Sequence, residues 1–381
     1  MKKILCVMSD VGGGHRAAAK AVLDALKNTY KPSDYSFKMV DLFLMGSKFS
    51  NFSLKSYPFM TKYFPWIYNR FYDFNNLKFG WDIIYNIFIK PLMIKKVKKL
   101  ILEEKPDVIL STYAMCNRIT FDALGKINLQ DKIFTIALVL DIFLIHRTWA
   151  EPRADVSFVA NEVAKKAVIR LGVPEERILM STFPINPAFE NPVDKRLLRK
   201  EFGFNEKKFT VMIMGGGDGM GGVYAIAKTL HENNLDVQTI FVAGRDQELF
   251  QKIKEIESKS NYPWAAFSFT DRIPELMSIS DILISKPGPA TIWEAVSKEL
   301  PIIVSAKMPR QEQPNVDFVR NSGFGYIEKR PKKIINILKR LINNEQELQQ
   351  LKENTKKLRK PTSAYEIAKC LMEGKKGMSF K

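Results

Sequence analysis

Twice in this chain a short apolar run ends in a cluster of glycines and passes straight into a helical stretch. The first run, Lys3 to Met8, meets Val11-Gly12-Gly13-Gly14 and then an alanine-rich segment from about His15 to Leu26. The second, Phe209 to Met214, meets Gly215-Gly216-Gly217-Asp218-Gly219-Met220-Gly221-Gly222 and a helical pattern from about Val223. A strand that turns at once into a helix needs a crossover connection, which leads to a parallel sheet. Other short, apolar, β-branched runs fit the same scheme: Phe37 to Leu44, Val108 to Ser111 and Ile133 to Leu140, then Thr239 to Ala243, Ile282 to Ser285 and Ile302 to Val304. A chain of 381 residues, 46% of them hydrophobic, exceeds what one core organises, so two Rossmann-like halves are expected. The proline-punctuated run Phe183-Pro184-Ile185-Asn186-Pro187-Ala188-Phe189-Glu190-Asn191-Pro192 marks the join. The expected domains are residues 1–185, residues 193–358 and a basic helical tail, 359–381, interrupted at Pro361 and packing back on the first domain.

Composition narrows the class. Cys6, Cys116 and Cys370 are scattered, without a CxxC pair or metal-ligand spacing, which reads as reduced, buried thiols of a cytoplasmic protein. The start Met1-Lys2-Lys3 imitates a signal peptide, but its apolar run stops at Ser9-Asp10, too early for export. Nothing approaches the roughly 18 uninterrupted apolar residues of a membrane-spanning helix. A net charge of +18 points to an acidic partner: nucleic acid, anionic lipid or a nucleotide substrate. The lysines Lys90, Lys95, Lys96, Lys98 and Lys99 directly follow an aromatic-rich stretch, Phe49 to Phe88, that includes Phe64-Pro65-Trp66 and Trp81. Rings beside lysines suit an anionic membrane surface; the other reading is a buried helical region with a solvated lysine face.

The loop at 215–222 can cradle a pyrophosphate, because its glycines let the backbone approach and the following helix offers free N–H groups. Gly217, Gly219 and Gly222 satisfy GxGxxG; Gly12, Gly14 and Ala17 satisfy GxGxxA, with Asp41 on the next strand, so a dinucleotide-binding dehydrogenase must be weighed. Three features pull away from it. Ser285-Lys286-Pro287-Gly288-Pro289-Ala290-Thr291 is another strand-to-helix turn, and Glu294, one helical turn on, can accept hydrogen bonds from ribose hydroxyls. Gln311, Glu312 and Asn315 offer polar groups to a sugar. His15 stands where the first turn becomes a helix, a position for a neutral general base.

Ser9-Asp10-Val11-Gly12-Gly13-Gly14-His15-Arg16-Ala17, Met214 to Gly221 and Lys286-Pro287-Gly288-Pro289-Ala290-Thr291-Ile292-Trp293-Glu294-Ala295 resemble the motifs of monogalactosyldiacylglycerol synthases and bacterial diacylglycerol glucosyltransferases, relatives of the GlcNAc transferase that makes lipid II. Asp141 with His146-Arg147-Thr148-Trp149, and the proline-rich join, also resemble family segments, and the likeness runs to about Gly325. Arg147 departs from it where the galactolipid enzymes have proline, as do Leu140 in place of threonine and Met308-Pro309-Arg310 where glycine is usual. The resemblance implies a GT-B α/β fold, two Rossmann-like domains facing each other across a cleft. It implies His15 as catalytic base and Asp141 and His146 on the acceptor side. For a UDP-sugar it implies Gly14, Gly215, Gly216, Gly217, Asp218, Arg245, Ile273, Gly288, Pro289, Ala290, Thr291, Glu294, Gln311 and Glu312.

The expected activity is inverting transfer of a hexose from a UDP-sugar to a lipid acceptor, foremost diacylglycerol, by a peripheral protein on the inner face of the cell membrane. No Asp-x-Asp pair occurs in the chain, so neither a metal nor another cofactor is expected, and nucleic acid is not an expected partner. The alternatives are a lipid II-type GlcNAc transferase and, in another class, a basic membrane- or nucleic-acid-binding protein with a vestigial nucleotide pocket.

Overall fold

Strand β1 (Lys2–Met8) has five consecutive buried residues, Ile4 to Met8, the mark of a parallel strand covered on both faces. It lies between β2 (Tyr35–Asp41) and β3 (Val108–Ser111), and the sheet continues through β4 (Phe134–Leu138), β5 (Val156–Val159) and β6 (Ile178–Met180) in the order 2-1-3-4-5-6. A second parallel sheet holds β7 (Thr210–Met214), β8 (Gln238–Val242), β9 (Trp264–Phe267), β10 (Ile282–Ser285), β11 (Ile302–Val304) and β12 (Gly325–Ile327), ordered 12-11-10-7-8-9. Counted from its own first strand, that is the 3-2-1-4-5-6 order of a doubly wound nucleotide-binding domain. The computed structural model describes residues 1–10, 13–45, 64–215, 222–306 and 312–378. Gly12, Gly216, Gly217, Asp218, Gln311 and the aromatic stretch before Phe64 lie outside the described residues.

The chain forms two units. Unit 1 comprises Met1–Pro187 and Thr362–Lys381, and unit 2 comprises Ala188–Pro361. Within unit 1 the helices are α1 (Gly14–Thr29), α2 (Pro65–Asn76), α3 (Lys78–Ile84), α4 (Lys90–Glu104), α5 (Ala114–Lys126) and α6 (Glu162–Arg170), with a π-helical turn Tyr85–Ile89 between α3 and α4. Its core joins Leu5, Val7, Ile109, Cys116 and Ile119 to Trp81, Tyr85, Ile89 and Val97. In unit 2, α7 (Lys195–Glu201), α8 (Val223–Glu232), α9 (Gln247–Glu257), α10 (Ile273–Ser278), α11 (Pro289–Ser297), α12 (Gln313–Asn321), α13 (Pro331–Asn343) and α14 (Glu345–Leu358) surround a core of Val211, Ile213, Ile282, Ile284 and Phe241. The last helix, α15 (Ala364–Glu373), belongs to unit 1 and packs on α1. Where the chain re-enters unit 1, the Thr362 hydroxyl accepts from the Ile185 N–H at 3.0 Å and donates to the Ile185 carbonyl at 2.9 Å.

The helices after the two first strands begin alike. Gly13 at φ 76° caps α1 and Gly222 at φ 70° caps α8, left-handed positions that a side chain would strain. One glycine of each cluster is therefore demanded by the backbone path, whatever the ligand.

Candidate active site

In each sheet the strand order reverses beside its first strand, and ligands of open α/β sheets bind beyond the carboxyl ends of the strands at that point. In unit 1 the reversal lies between β1 and β3. The register Val7↔Ser111 brings the residues that follow these strands together. His15, at the start of α1, and Thr112, after β3, meet there: His15 Nδ1 is 2.9 Å from the Thr112 carbonyl oxygen. A carbonyl can only accept, so Nδ1 carries the proton and Nε2 is the basic nitrogen of the neutral ring. Burial in the surrounding protein lowers the His15 pKa to about 4, partly opposed by that hydrogen bond, so the imidazole is neutral at physiological pH. Its ring packs edge-on against Tyr113 at 4.7 Å and tilted against Trp149 at 5.7 Å.

Trp149 ends the single-turn helix Arg147–Trp149, and its Nε1 donates to Asp141 Oδ2 at 2.7 Å. The buried Asn117 of α5 donates to the Thr148 and Trp149 carbonyls at 3.3 and 3.0 Å, tying that turn to the sheet's helical layer. Asp141 thus joins the His15 cluster through Trp149. His146 sits one step away: its Nδ1 is 2.8 Å from Thr148 Oγ1, and its ring lies tilted against Tyr72 of α2, 4.7 Å between centroids. Burial lowers the His146 pKa to about 4. Thr112, Tyr113 and Asn117 are residues that sequence reasoning passes over, because each is defined by a neighbour far away in the chain.

Asp41, which invited the dinucleotide reading, has other partners. Its carboxylate accepts from the backbone N–H groups of Asp10, Phe43 and Leu44 at 2.9, 2.9 and 3.1 Å, which makes it a loop brace at the end of β2. Asp10 in turn pairs with Arg16 at 2.8 Å.

In unit 2 the reversal lies between β7 and β10. Gly215 follows β7, and Ser285 ends β10 with its hydroxyl donating to the Met214 carbonyl at 2.9 Å. The turn after β10 brings Gly288 in as the cap of α11, with Pro289 first in the helix and Ala290 and Thr291 beside it, so the free N–H groups of this terminus open at the switch point. On the next turn of α11 stands Glu294, whose carboxyl is pushed by burial up to about 7. Trp293 Nε1 and Glu312 Oε2 are buried polar atoms without a hydrogen-bond partner among the described residues. Burial raises the Glu312 pKa, with the charge of Lys286 opposing it. Buried groups that the fold leaves unpaired call for a ligand or another explanation. Asn315 differs from expectation: its side-chain amide donates to the Pro287 carbonyl at 3.0 Å, bracing the turn against α12 instead of reaching for a sugar. Arg245 follows β8, exposed, with its guanidinium 5.9 Å from the Phe269 ring, and Ile273 opens α10. Among the described residues no three histidine, cysteine or acidic side chains converge as metal ligands.

A different surface occupies α2 to α4. Trp66, at 69% exposure, and Phe79, at 71%, stand open with Phe71, Phe74, Ile87 and Phe88, whereas Trp81, Tyr85 and Ile89 face the core. The stretch is thus divided: part of it is core and part stands exposed. Lys95, Lys96 and Lys99 are exposed on α4. Among the described residues no helix is long and apolar enough to cross a membrane.

In fold the chain is like Acinetobacter baumannii MurG, with a TM-score of 0.61 at 12% identity over 98% of this chain and 100% of that one. It is also like the UDP-GlcNAc 2-epimerase of Neisseria meningitidis, at 0.59 and 14% over 96% and 98%. These likenesses place it in the GT-B class of two Rossmann-like domains in one chain. Sequence carries the closer relation. Residues 15–185 match the monogalactosyldiacylglycerol (MGDG) synthase family and residues 210–369 the glycosyltransferase family 28 C-terminal domain. The chain is 30% identical to a probable MGDG synthase of Nicotiana tabacum, covering 96% of this chain and 69% of the relative. It is 31% identical to that of Spinacia oleracea, over 98% and 72%. A processive diacylglycerol beta-glucosyltransferase of Bacillus pumilus is 27% identical over 98% and 95%. The chain belongs to the MGDG synthase family, and it is a glycosyltransferase that moves a hexose.

Proposed function

We infer that this enzyme transfers a hexose from a UDP-sugar to the hydroxyl of diacylglycerol in a single inverting displacement. The observation that carries the reading is the tautomer of His15: with Nδ1–H donating to Thr112, the basic Nε2 is left for an incoming hydroxyl. Nε2 takes the hydroxyl proton as the oxygen attacks the anomeric carbon; the bond from that carbon to the diphosphate breaks, and its electron pair leaves with UDP. In this reading unit 2 binds the donor. Gly215, the backbone N–H groups of Gly288, Ala290 and Thr291, and Arg245 stabilise the charge on the departing diphosphate, and Glu294 and Glu312 accept hydrogen bonds from ribose and hexose hydroxyls. The reaction proceeds without a metal ion. Unit 1 supplies the base and holds the acceptor, with the exposed rings of α2 and α3 and the lysines of α4 resting on an anionic membrane.

The diacylglycerol acceptor is supported by the names of the sequence relatives, which include synthases of plant galactolipid and a bacterial glucosyltransferase. The MurG likeness, at 12% identity, supports the fold and not a lipid II acceptor. The test is incubation with diacylglycerol and a panel of UDP-hexoses in EDTA, with the product lipid identified by mass. A hexosyl-diacylglycerol is expected. No lipid product with any donor defeats the acceptor assignment, and turnover that returns only with manganese defeats the metal-free mechanism.

A further inference from the structure

Helix α2 is rich in large apolar side chains, yet none of residues 66–76 is buried. Ile67, Phe71 and Phe74 recur at the i, i+4, i+7 spacing of one helix face, and all three are exposed. Hydrophobic burial therefore does little to seat this helix. A polar clasp closes its carboxyl end. Asn76 Oδ1 accepts from the Arg147 N–H at 2.8 Å, and the Asn76 carbonyl, one of the acceptors a helix end leaves free, accepts from Arg147 Nε at 3.1 Å. The cation also suits the negative end of the helix dipole. One turn earlier, Tyr72 packs on His146. The residues clasped are those of the turn that delivers Trp149 to His15, and that turn is fixed independently by Asn117 and Asp141. The clasp thus attaches α2 to an already anchored turn, and does not hold the turn itself.

We propose that Asn76 and Arg147 are positioning residues for the acceptor: they dock the open apolar face of α2 to the turn beside His15, so that a lipid lying along α2 presents its hydroxyl to the base. This rests on the acceptor reading given above. Neither residue touches the reacting atoms, so the effect falls on acceptor KM and not on donor binding.

The variants are Arg147→Pro, which removes both donors at once, Arg147→Ala, which removes only the guanidinium, Asn76→Ala, and Asn76→Asp, which retains the acceptor oxygen. In mixed micelles of diacylglycerol, Arg147→Pro is expected to raise acceptor KM about tenfold, the weight of one or two lost hydrogen bonds. Its kcat and UDP-sugar KM should stay near wild type, and Asn76→Asp should restore what Asn76→Ala loses. Amide exchange in the absence of any substrate reads the clasp itself: residues 64–77 should exchange faster in Arg147→Pro while α5 keeps its protection. An unchanged acceptor KM, or a fall in kcat with no change in KM, overturns the proposal, as does unchanged exchange in residues 64–77. If α5 also loses protection, Arg147→Ala and Asn76→Ala decide by the same two readouts. A wild-type enzyme that glycosylates no lipid overturns the acceptor reading instead, whatever the exchange pattern.

Discussion

The Nδ1 atom of His15 and the carbonyl oxygen of Thr112 lie 2.9 Å apart, beyond the carboxyl ends of two adjacent parallel strands. The bond sets the tautomer in the folded chain itself, before substrate arrives, and its acceptor is a backbone carbonyl that no side-chain substitution at Thr112 removes. Catalysis and stability at this position can therefore be separated.

His15→Asn places an amide where Nδ1–H stands and removes the base. Turnover should fall by about 10²–10⁴-fold, the usual weight of a general base, with Tm nearly unchanged. A variant with more than a tenth of wild-type kcat would remove His15 from the proton transfer.

With a pKa of about 4, His15 should support a kcat, at saturating UDP-sugar, that is flat from pH 8 down to about 5 and falls only below that, while donor KM rises as Glu294 gains its proton near pH 7. The same depression affects stability. The unfolded chain protonates its histidines near pH 6.5, whereas His15 and His146 resist protonation until about 4. Between these values the unfolded state binds more protons, so the stabilisation is complete above pH 6.5 and is lost as pH falls toward 4. Melting curves should show a Tm drop of at least about 5 °C across that window, shallower in a His146→Gln variant.

Glu294 titrates the other way. Its carboxyl, raised to about 7, holds a proton that the unfolded chain gives up near 4.5, so its contribution to stability is full below 4.5 and is lost as pH rises through 7. Glu294→Gln should melt above wild type at pH 8 and match it at pH 5. At pH 8 UDP should raise the Tm of wild type more than that of Glu294→Gln, because the carboxylate receives the ribose hydroxyls and the amide does so less well. An equal UDP-induced shift in both proteins would count against a ribose role.

Trp149 meets both Asp141 and His15, so the carboxylate can act on the base through the indole. Asp141→Asn retains an oxygen for the Trp149 N–H and should keep most activity, while Asp141→Ala should lose about tenfold in kcat through a loosened ring. Equal losses in the two variants would mean that the charge of Asp141 matters directly.

Binding to vesicles containing anionic lipid should require both the rings and the lysines. Trp66→Ser with Phe79→Ser should weaken co-sedimentation at every ionic strength, whereas neutralising Lys95, Lys96, Lys98 and Lys99 should weaken it mainly at low salt, since exposed charges are screened within about 10 Å at 0.1 M. Binding that survives both changes would place the membrane contact elsewhere.

The two glycine-terminated apolar runs, with the short buried strands at 108–111, 282–285 and 302–304, were enough to determine a parallel α/β architecture, because five-residue apolar runs bounded by turns have few other uses. The short strands at 156–159, 178–180, 264–267 and 325–327 escaped the pattern, since they are defined by pairing with a neighbour and not by their own composition. Residue type also singled out His15 and Glu294. Composition could not say that Asp41 braces a loop, that Asn315 turns to Pro287, or that part of the aromatic stretch is core and part is surface. Those outcomes depend on contacts between residues tens of positions apart. The strand order decided them: by setting β1 beside β3 it brought Thr112 to His15, and with that contact it chose which nitrogen of the ring is the base.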